Sequence, residues 1–266
     1  MTAAETGTRT TVSVVIPVKD DDTELRRCLR ALALQTRLPD EIVVVDNGST
    51  DSSAEVARAA GARVVRCDER GIPAASSCGY DAARGDIILR LDADSLPSHT
   101  WVQTMSEALE RQADVSAFTG GARFIDGPRR LRRPLAALYL GAYAAVTFSA
   151  LGHLPLFGSN LAFRASAWRD VRHEVHRHDP EVHDDLDLAF HLGLRHRIRY
   201  LPHAAMGISM RPFGDRVGFR RRVWRGHHTV VIHWPEDFPP VRWQKLALQR
   251  ALHRRGPSPT RSRSGR

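Results

Sequence analysis

Between residues 12 and 91, apolar runs alternate with stretches that carry apolar residues at helical spacing. Val12–Ile16 is a near-continuous apolar run closed by Pro17, the pattern of a strand buried on both faces. Asp22 then offers a helix cap, and Leu25, Cys28, Leu29 and Leu32 fall on one face. Ile42–Val45 predicts a second strand ending at Asp46, Ser52–Ala60 a short helix closed by Gly61, and Val64 with Val65 a third strand. Ile72–Ala83 is helical in tendency and stops at Gly85. Ile87–Leu91 predicts a fourth strand running into Asp92, Ala93 and Asp94. This βαβαβ rhythm predicts an α/β chain with a Rossmann-like, mostly parallel sheet flanked by helices and ligands at the carboxyl ends of its strands. Asp20, Asp21, Asp46, Asp92 and Asp94 all follow strand ends, which scattered acids would not do.

The second half is less regular. Arg164–Val171, Asp185–Leu194 and Arg220–Ile232 read as helices, and there is no internal repeat. From Pro134 to Phe163 there is no Asp, Glu, Lys or Arg, but Gly141, Gly152 and Pro155 interrupt the run. Its unbroken apolar part is marginal against the ~20 residues a membrane span needs. A buried helix is the first expectation, and a segment dipping into a membrane interface beside Arg129, Arg130, Arg132 and Arg133 is the second. A true span ranks third.

The 266 residues are 42% hydrophobic and 26% charged, which excludes collagen-like, disulfide-scaffold and wholly disordered chains. Thirty-nine Lys and Arg against 30 Asp and Glu give a net charge of +9, at first sight the mark of a polyanion partner. Location changes that reading. Arg123–Arg133, Arg211–Arg225 and Gln249–Arg266 carry +15 between them and leave −6 to the rest, where the strand-end acids lie. Nucleic acid is therefore not the expected partner. Cys28, Cys67 and Cys78 lack metal or redox spacing and point to a reducing, cytoplasmic setting, at the cytoplasmic face of a membrane if the apolar run touches lipid. Residues 1–10 are expected to be flexible and lack a secretory leader pattern, and residues 250–266 to be a disordered basic tail.

Asp92 and Asp94, separated by one residue after an apolar strand, can grip a hard divalent cation that in turn holds a diphosphate. Alone the pair is a weak signal. It belongs to a series, however: Val12–Asp21, the run Val44–Asp51 with Asp46-Asn47-Gly48-Ser49, then Gly85–Asp94, Gly158–Arg164 and His183–Phe190. In that order these stretches resemble the family 2 glycosyltransferases of GT-A fold, over roughly residues 12–231. The resemblance implies an enzyme of the hexosyltransferase class with a nucleotide-diphosphate sugar as donor, UDP- or GDP-linked, and Mn²⁺ or Mg²⁺ as cofactor. It implies a domain over 11–235, with 11–95 as the nucleotide-binding half and 96–235 as the acceptor half.

Residue by residue, Pro17, Val18 and Asp21 match positions near the nucleoside, and Asp46 the acid that bonds the base. Asp92 and Asp94 match the metal and diphosphate motif, and Asp185 the catalytic base. Gly158, Asn160 and Asp184 are expected on the acceptor side. The chemistry agrees: displacing a nucleoside diphosphate needs an oriented acceptor, a carboxylate to take its proton and a cation on the leaving group. One base opposite the leaving group implies inversion. The acceptor stays open between a membrane lipid or polyprenyl phosphate, a soluble saccharide and a natural-product aglycone, with the apolar run favouring the first.

The chain also departs from the family pattern. The usual Arg-Asn before the glycine of the third helical stretch is Ser76-Ser77, which removes expected phosphate contacts. No histidine stands where many relatives place a third metal ligand, since His203 comes too early. His173 and His176 are three apart, not the four of a metalloprotease helix, and read as a solvated loop. Asp184, Asp185 and Asp187 at a helix start also suit the helix dipole without any function. Asp46 could serve only its turn. The Arg211–Arg225 cluster reads first as a solvated face, second as a phosphate or lipid-headgroup contact. Trp101 and Trp168 are expected in the core. A nucleotidyltransferase, which would want a glycine-rich phosphate loop between Pro17 and Leu29, and a non-catalytic nucleotide- or nucleic-acid-binding protein are the alternatives.

Overall fold

β1 (Val12–Val18) lies between β2 (Glu41–Asp46) and β4 (Ile87–Arg90), parallel to both, and β3 (Arg63–Arg66) extends the sheet beyond β2. The helices between them are α1 (Asp22–Ala33), α2 (Ser53–Ala59) and α3 (Ile72–Ala82). These are the elements the apolar pattern predicts, to within a residue or two at most ends. One detail differs: Asp22 is the first residue of α1 rather than its cap, and its N–H is bonded by Asp51 at 3.0 Å. The computed structural model describes residues 9–210 and 216–254.

Register aligns the carboxyl ends of the strands. Val18 stands opposite Asp46 and Val15 opposite Arg90. The loops beyond β1 and β2 are tied together by Asp20, at φ 51°, whose Oδ1 accepts from the N–H and hydroxyl of Thr50 at 2.6 and 3.0 Å. Beneath them α3 packs on the sheet so closely that a Cβ on Gly79 would meet Val15 Cγ1 at 2.4 Å, so only glycine fits.

The second half completes the same sheet with β5 (Leu96–Pro97), β6 (Ala117–Phe124), β7 (Leu161–Arg164) and β8 (Ile198–Ile208). The order across it is β3-β2-β1-β4-β7-β6-β8-β5, with β7 antiparallel to β4 and β6, and β6 parallel to β8. Helices α4 (Trp101–Arg111), α5 (Arg132–Leu151), α6 (Ala165–Val171), α7 (Asp184–Arg195), α8 (Arg216–Ile232) and α9 (Pro239–Arg254) surround this half. Apolar residues fill both faces: Val14, Ile16 and Leu89 pack with Leu25, Trp101 and Met105, while Val15, Val43 and Ile88 pack with Tyr80, Trp168 and Leu186. Trp101 and Trp168 are core residues, as expected.

The Pro134–Phe163 run departs from its first expectation. It forms α5, a turn after the left-handed Gly152, and β7, rather than a buried helix. Only Ala136, Thr147, Ala150 and Leu151 of α5 are buried, whereas Leu138 is 69% and Val146 72% exposed. α9 lies beyond residue 235 and packs on α5. Its Arg242 is fully buried, donating to the carbonyls of Leu151 and Phe190 at 2.8 and 2.7 Å and pairing with Asp237 at 2.9 Å. That helix reaches Arg254, so residues 250–254 of the expected tail are helical, and 255–266 lie outside the described residues, as do 1–8.

Candidate active site

Strand β4 is apolar except at its last residue, and that residue is Arg90, only 3% exposed. A guanidinium so deep in a sheet needs carboxylates around it. Its Nη2 lies 2.9 Å from Asp92 Oδ1 and 3.2 Å from Asp184 Oδ2. Asp92 comes from the loop after β4. Asp184 opens α7, whose first turn holds Asp184, Asp185 and Asp187 at the positive end of the helix dipole. The two acids are more than ninety residues apart in sequence and share one cation.

Asp185, also buried, is held by three donors: the Gly158 N–H at 2.8 Å on Oδ2, and the Leu186 N–H at 2.8 Å and the His183 ring at 3.2 Å on Oδ1. Gly158 cannot be replaced without moving Arg90, because a Cβ there would sit 1.7 Å from Nη1. The two neighbouring carboxyls are pushed apart electrostatically. Burial raises Asp185, but His183, Arg90 and the Gly158 N–H outweigh it and hold the carboxyl below the ordinary aspartate range. Burial raises Asp184 as well, and there the pull of Arg90 does not overcome burial and the neighbouring Asp185 charge, so it stays above that range. His183 is opposed by burial yet raised by Asp185. The two neighbouring carboxyls are thus shifted in opposite directions, and Asp185 is the one held ionised, the state that accepts a proton.

These groups border a cavity of about 220 Å³ at the carboxyl end of β4, lined by Arg90, Asp92, Asp94, His183, Asp184 and Asp185. Tyr139 of α5, Ser209, and Arg222 and Arg225 of α8 line it as well. Four carboxylates on one small space, with arginines in the same lining, suit a hard divalent cation and a polyanionic ligand. Asp92 and Asp94 offer the oxygen donors that Mg²⁺ or Mn²⁺ takes, so the residues fit the expected ion.

The cavity gathers Asp92, Asp94, Asp184 and Asp185 of the expected site. Pro17, Val18, Asp21 and Asp46 lie at the ends of β1 and β2, outside its lining, and Asp46 Oδ1 accepts the Ser49 N–H of its own turn at 2.9 Å. Asn160 serves the fold. It is fully buried, its oxygen takes the Trp101 indole N–H at 2.7 Å, and its amide donates to the carbonyls of Gly121 and Ala204 at 2.8 and 2.6 Å. It clamps the sheet and presents nothing to an acceptor. Gly158 acts through its backbone and its lack of a side chain. The residue between them, Ser159, faces the cavity and donates its hydroxyl to Asp92.

Ser76, where the family pattern has an arginine, donates to Asp184 Oδ2 at 2.8 Å. His203 is exposed on β8. The arginine cluster is not simply a solvated face, since Arg222 and Arg225 line the cavity and Arg225 reaches Glu181 at 3.4 Å. Arg211 and residues 212–215 of that cluster lie outside the described residues. Arg90 was missed, although a lone charge closing an apolar parallel strand is itself a signal. Ser159, His183 and Tyr139 carried no signal by spacing.

The family profile described as Glycosyl transferase family 2 matches residues 13–170. The chain belongs to this family. A glycosyltransferase of Haloferax volcanii, AglE, is 33% identical over 37% of this chain and 35% of its own length. An undecaprenyl-phosphate 4-deoxy-4-formamido-L-arabinose transferase of Pseudomonas aeruginosa is 41% identical over 31% of this chain and 27% of its own. The chain thus spans about a third of the curated relatives it matches. Glucosyl-3-phosphoglycerate synthase of Mycobacterium tuberculosis, crystallised with Mn²⁺, UDP and glucosyl-3-phosphoglycerate, shares the fold at a TM-score of 0.56 and 23% identity, over 80% of this chain and 76% of that one. The GT-A fold expected from the motifs is the fold this family member has.

The Arg90 cluster sets a stability test with a pH sign. Arg90→Met leaves Asp92 and Asp184 without their cation and should cost about 3 kcal/mol at pH 7.5. Because the Asp184 pKa is already raised and rises further in the variant, the deficit should shrink as pH falls and that carboxyl protonates in the folded state. Urea midpoints at pH 7.5 and 4.5 measure both.

Proposed function

We propose that this chain is an inverting glycosyltransferase that moves a sugar from a nucleotide diphosphate to an acceptor hydroxyl or phosphate, with a divalent cation as cofactor. The observation that carries the reading is the convergence of Asp92, Asp94 and the ionised Asp185 on one cavity at the end of β4. Asp185 takes the acceptor proton; its three donors fix the carboxylate in place and keep it charged. Where the acceptor is a phosphate, its oxygen is already anionic and no proton need be taken. Asp92 and Asp94 hold the cation, which supplies charge stabilisation to the departing diphosphate. Arg222 and Arg225, which line the cavity, meet phosphate oxygens. Pro17, Val18, Asp21 and Asp46 lie beside this cavity along the strand ends and form the nucleoside side of the donor site. One base facing the leaving group gives inversion. The Mn²⁺ and UDP bound to glucosyl-3-phosphoglycerate synthase support Mn²⁺ or Mg²⁺ here and a UDP donor ahead of a GDP one.

The acceptor reading follows from α5. Its protein-facing side carries Tyr139, which lines the cavity, and Tyr143, Thr147 and Ala150; its outer side, with Ala137, Leu138, Gly141, Ala142, Ala145, Val146 and Phe148, is exposed and uncharged. Arg129 and Arg130 stand exposed just before it. The helix is 20 residues long and apolar enough to cross a bilayer, yet one side is committed to protein contacts. That arrangement suits a helix lying in the headgroup layer of an anionic membrane at its cytoplasmic face, beside the cavity. A lipid-linked acceptor agrees with the undecaprenyl-phosphate named for the Pseudomonas relative.

Two outcomes test these readings. Asp185→Asn should lower transfer to a hydroxyl acceptor by about 10²–10⁴-fold while nucleotide binding persists; transfer near the wild-type rate would remove Asp185 as base. Flotation with anionic liposomes at physiological salt should carry the wild-type chain, and Leu138→Glu with Val146→Glu should leave it at the bottom of the gradient.

A further inference from the structure

A second cluster of metal-ligating side chains lies outside the cavity, and the sugar-transfer reading does not use it. Asp187 and His191 stand one turn apart on α7, His176 comes from the loop before that helix, and His233 follows the end of α8. Each offers one ligand atom within 4.8 Å of the others. Asp187 Oδ1 is 3.4 Å from His191 Nε2, 3.3 Å from His233 Nε2 and 2.7 Å from His176 Nδ1, and the two Nε2 atoms are 3.4 Å apart. Side-chain exposures are 3% for Asp187 and 4% for His233, with His191 at 14% and His176 at 38%, so the cluster has a buried floor and opens to solvent at His176.

Two features make this more than a patch of polar residues. His233 Nδ1 lies 2.6 Å from the Thr229 carbonyl, which only an N–H can approach, so in the neutral ring, the form that binds a metal, Nε2 presents its lone pair inward. His191 Nδ1 faces Glu174 Oε2 at 3.5 Å, which orients that ring the same way. Two imidazole lone pairs and a carboxylate oxygen therefore converge on one point, each ring held from behind by a backbone carbonyl or a carboxylate, the outer-shell arrangement of metal-bound histidine. The spacing also fits. Four ligands at the ~2.0–2.1 Å of zinc in a tetrahedron stand about 3.3 Å apart, and three of the measured separations are 3.3–3.4 Å.

We propose that His176, Asp187, His191 and His233 form a structural zinc site, distinct from the Mg²⁺- or Mn²⁺-type site at Asp92 and Asp94. Three imidazoles and one carboxylate suit zinc rather than magnesium or manganese, and four protein ligands leave no open position for substrate. The ion joins α7, at a residue two positions beyond Asp185, to the loop before it and to the residue that follows α8. It therefore acts on the chemistry by fixing the helix start that carries the proposed base, and its absence should loosen that start without touching Asp92 or Asp94.

The test uses the whole chain stripped with a chelator, then titrated with Zn²⁺ alone and, separately, with Co²⁺. One Zn²⁺ per chain should bind, raise Tm by several degrees, and resist a large excess of Mn²⁺ or Mg²⁺. Bound Co²⁺ should give the intense visible bands of a tetrahedral site. His191→Ala and His233→Ala should each weaken Zn²⁺ by at least a hundredfold, whereas His173→Ala, an exposed histidine outside the cluster, should leave it unchanged. Failure of Zn²⁺ to bind, weak octahedral Co²⁺ bands, ready displacement by Mn²⁺, or equal loss in His173→Ala would each overturn the site. The Co²⁺ spectrum of the wild-type chain decides even if a variant fails to fold, and none of these readings depends on sugar transfer.

Discussion

A guanidinium at the end of the strand beside β1 lies between two carboxylates that reach it from distant parts of the chain, and much of the site's geometry follows from accommodating that charge. Arg90 is desolvated, so Asp92 and Asp184 must face it. Asp184 in turn accepts from Ser76, which fastens α3 to α7, and Asp92 accepts from Ser159, which fastens the turn before β7. Gly158 must lack a side chain for the guanidinium to fit, and the same bare backbone gives its N–H to Asp185. A single buried cation therefore brings together the parallel half of the sheet, the antiparallel insertion and the start of α7.

The same constraint sorts the acids by role. Asp184 pairs with Arg90, yet burial and the neighbouring Asp185 charge keep its pKa raised, while Asp185, one residue on, is held ionised by His183, Arg90 and two backbone N–H groups. Adjacent residues of one type thus become a structural anchor and a candidate base. Around them the chain's charge is distributed by function. Acids line the strand ends, Arg222 and Arg225 of α8 share the cavity lining with them, and Arg129 and Arg130 are exposed before α5, where the exposed apolar face begins.

The parallel half was legible from sequence because burial on both faces leaves continuous apolar runs, and each of its strand-end acids sits where the pattern breaks. Asp92, Asp94, Asp184 and Asp185 could be named for that reason and by their family motifs. The second half was less so. β6 interrupts its apolar residues with Gly120 and Gly121, and α9 is basic and anchored through a buried arginine rather than an apolar stripe, so neither announces itself. The inward turn of Asn160 was not legible because a motif position does not tell which way a side chain points. His191 and His233 were invisible as partners of His176, since their meeting depends on how α7 and α8 pack.

The central claim is that the Arg90 cavity binds a nucleotide diphosphate through a cation on Asp92 and Asp94. Calorimetric titration of UDP and of GDP, each with Mn²⁺ and with a chelator, tests it most directly. The account predicts that one of the two nucleotides binds only when the ion is present and that Asp94→Asn weakens that binding at least tenfold. Binding that ignores both the chelator and the substitution would contradict it.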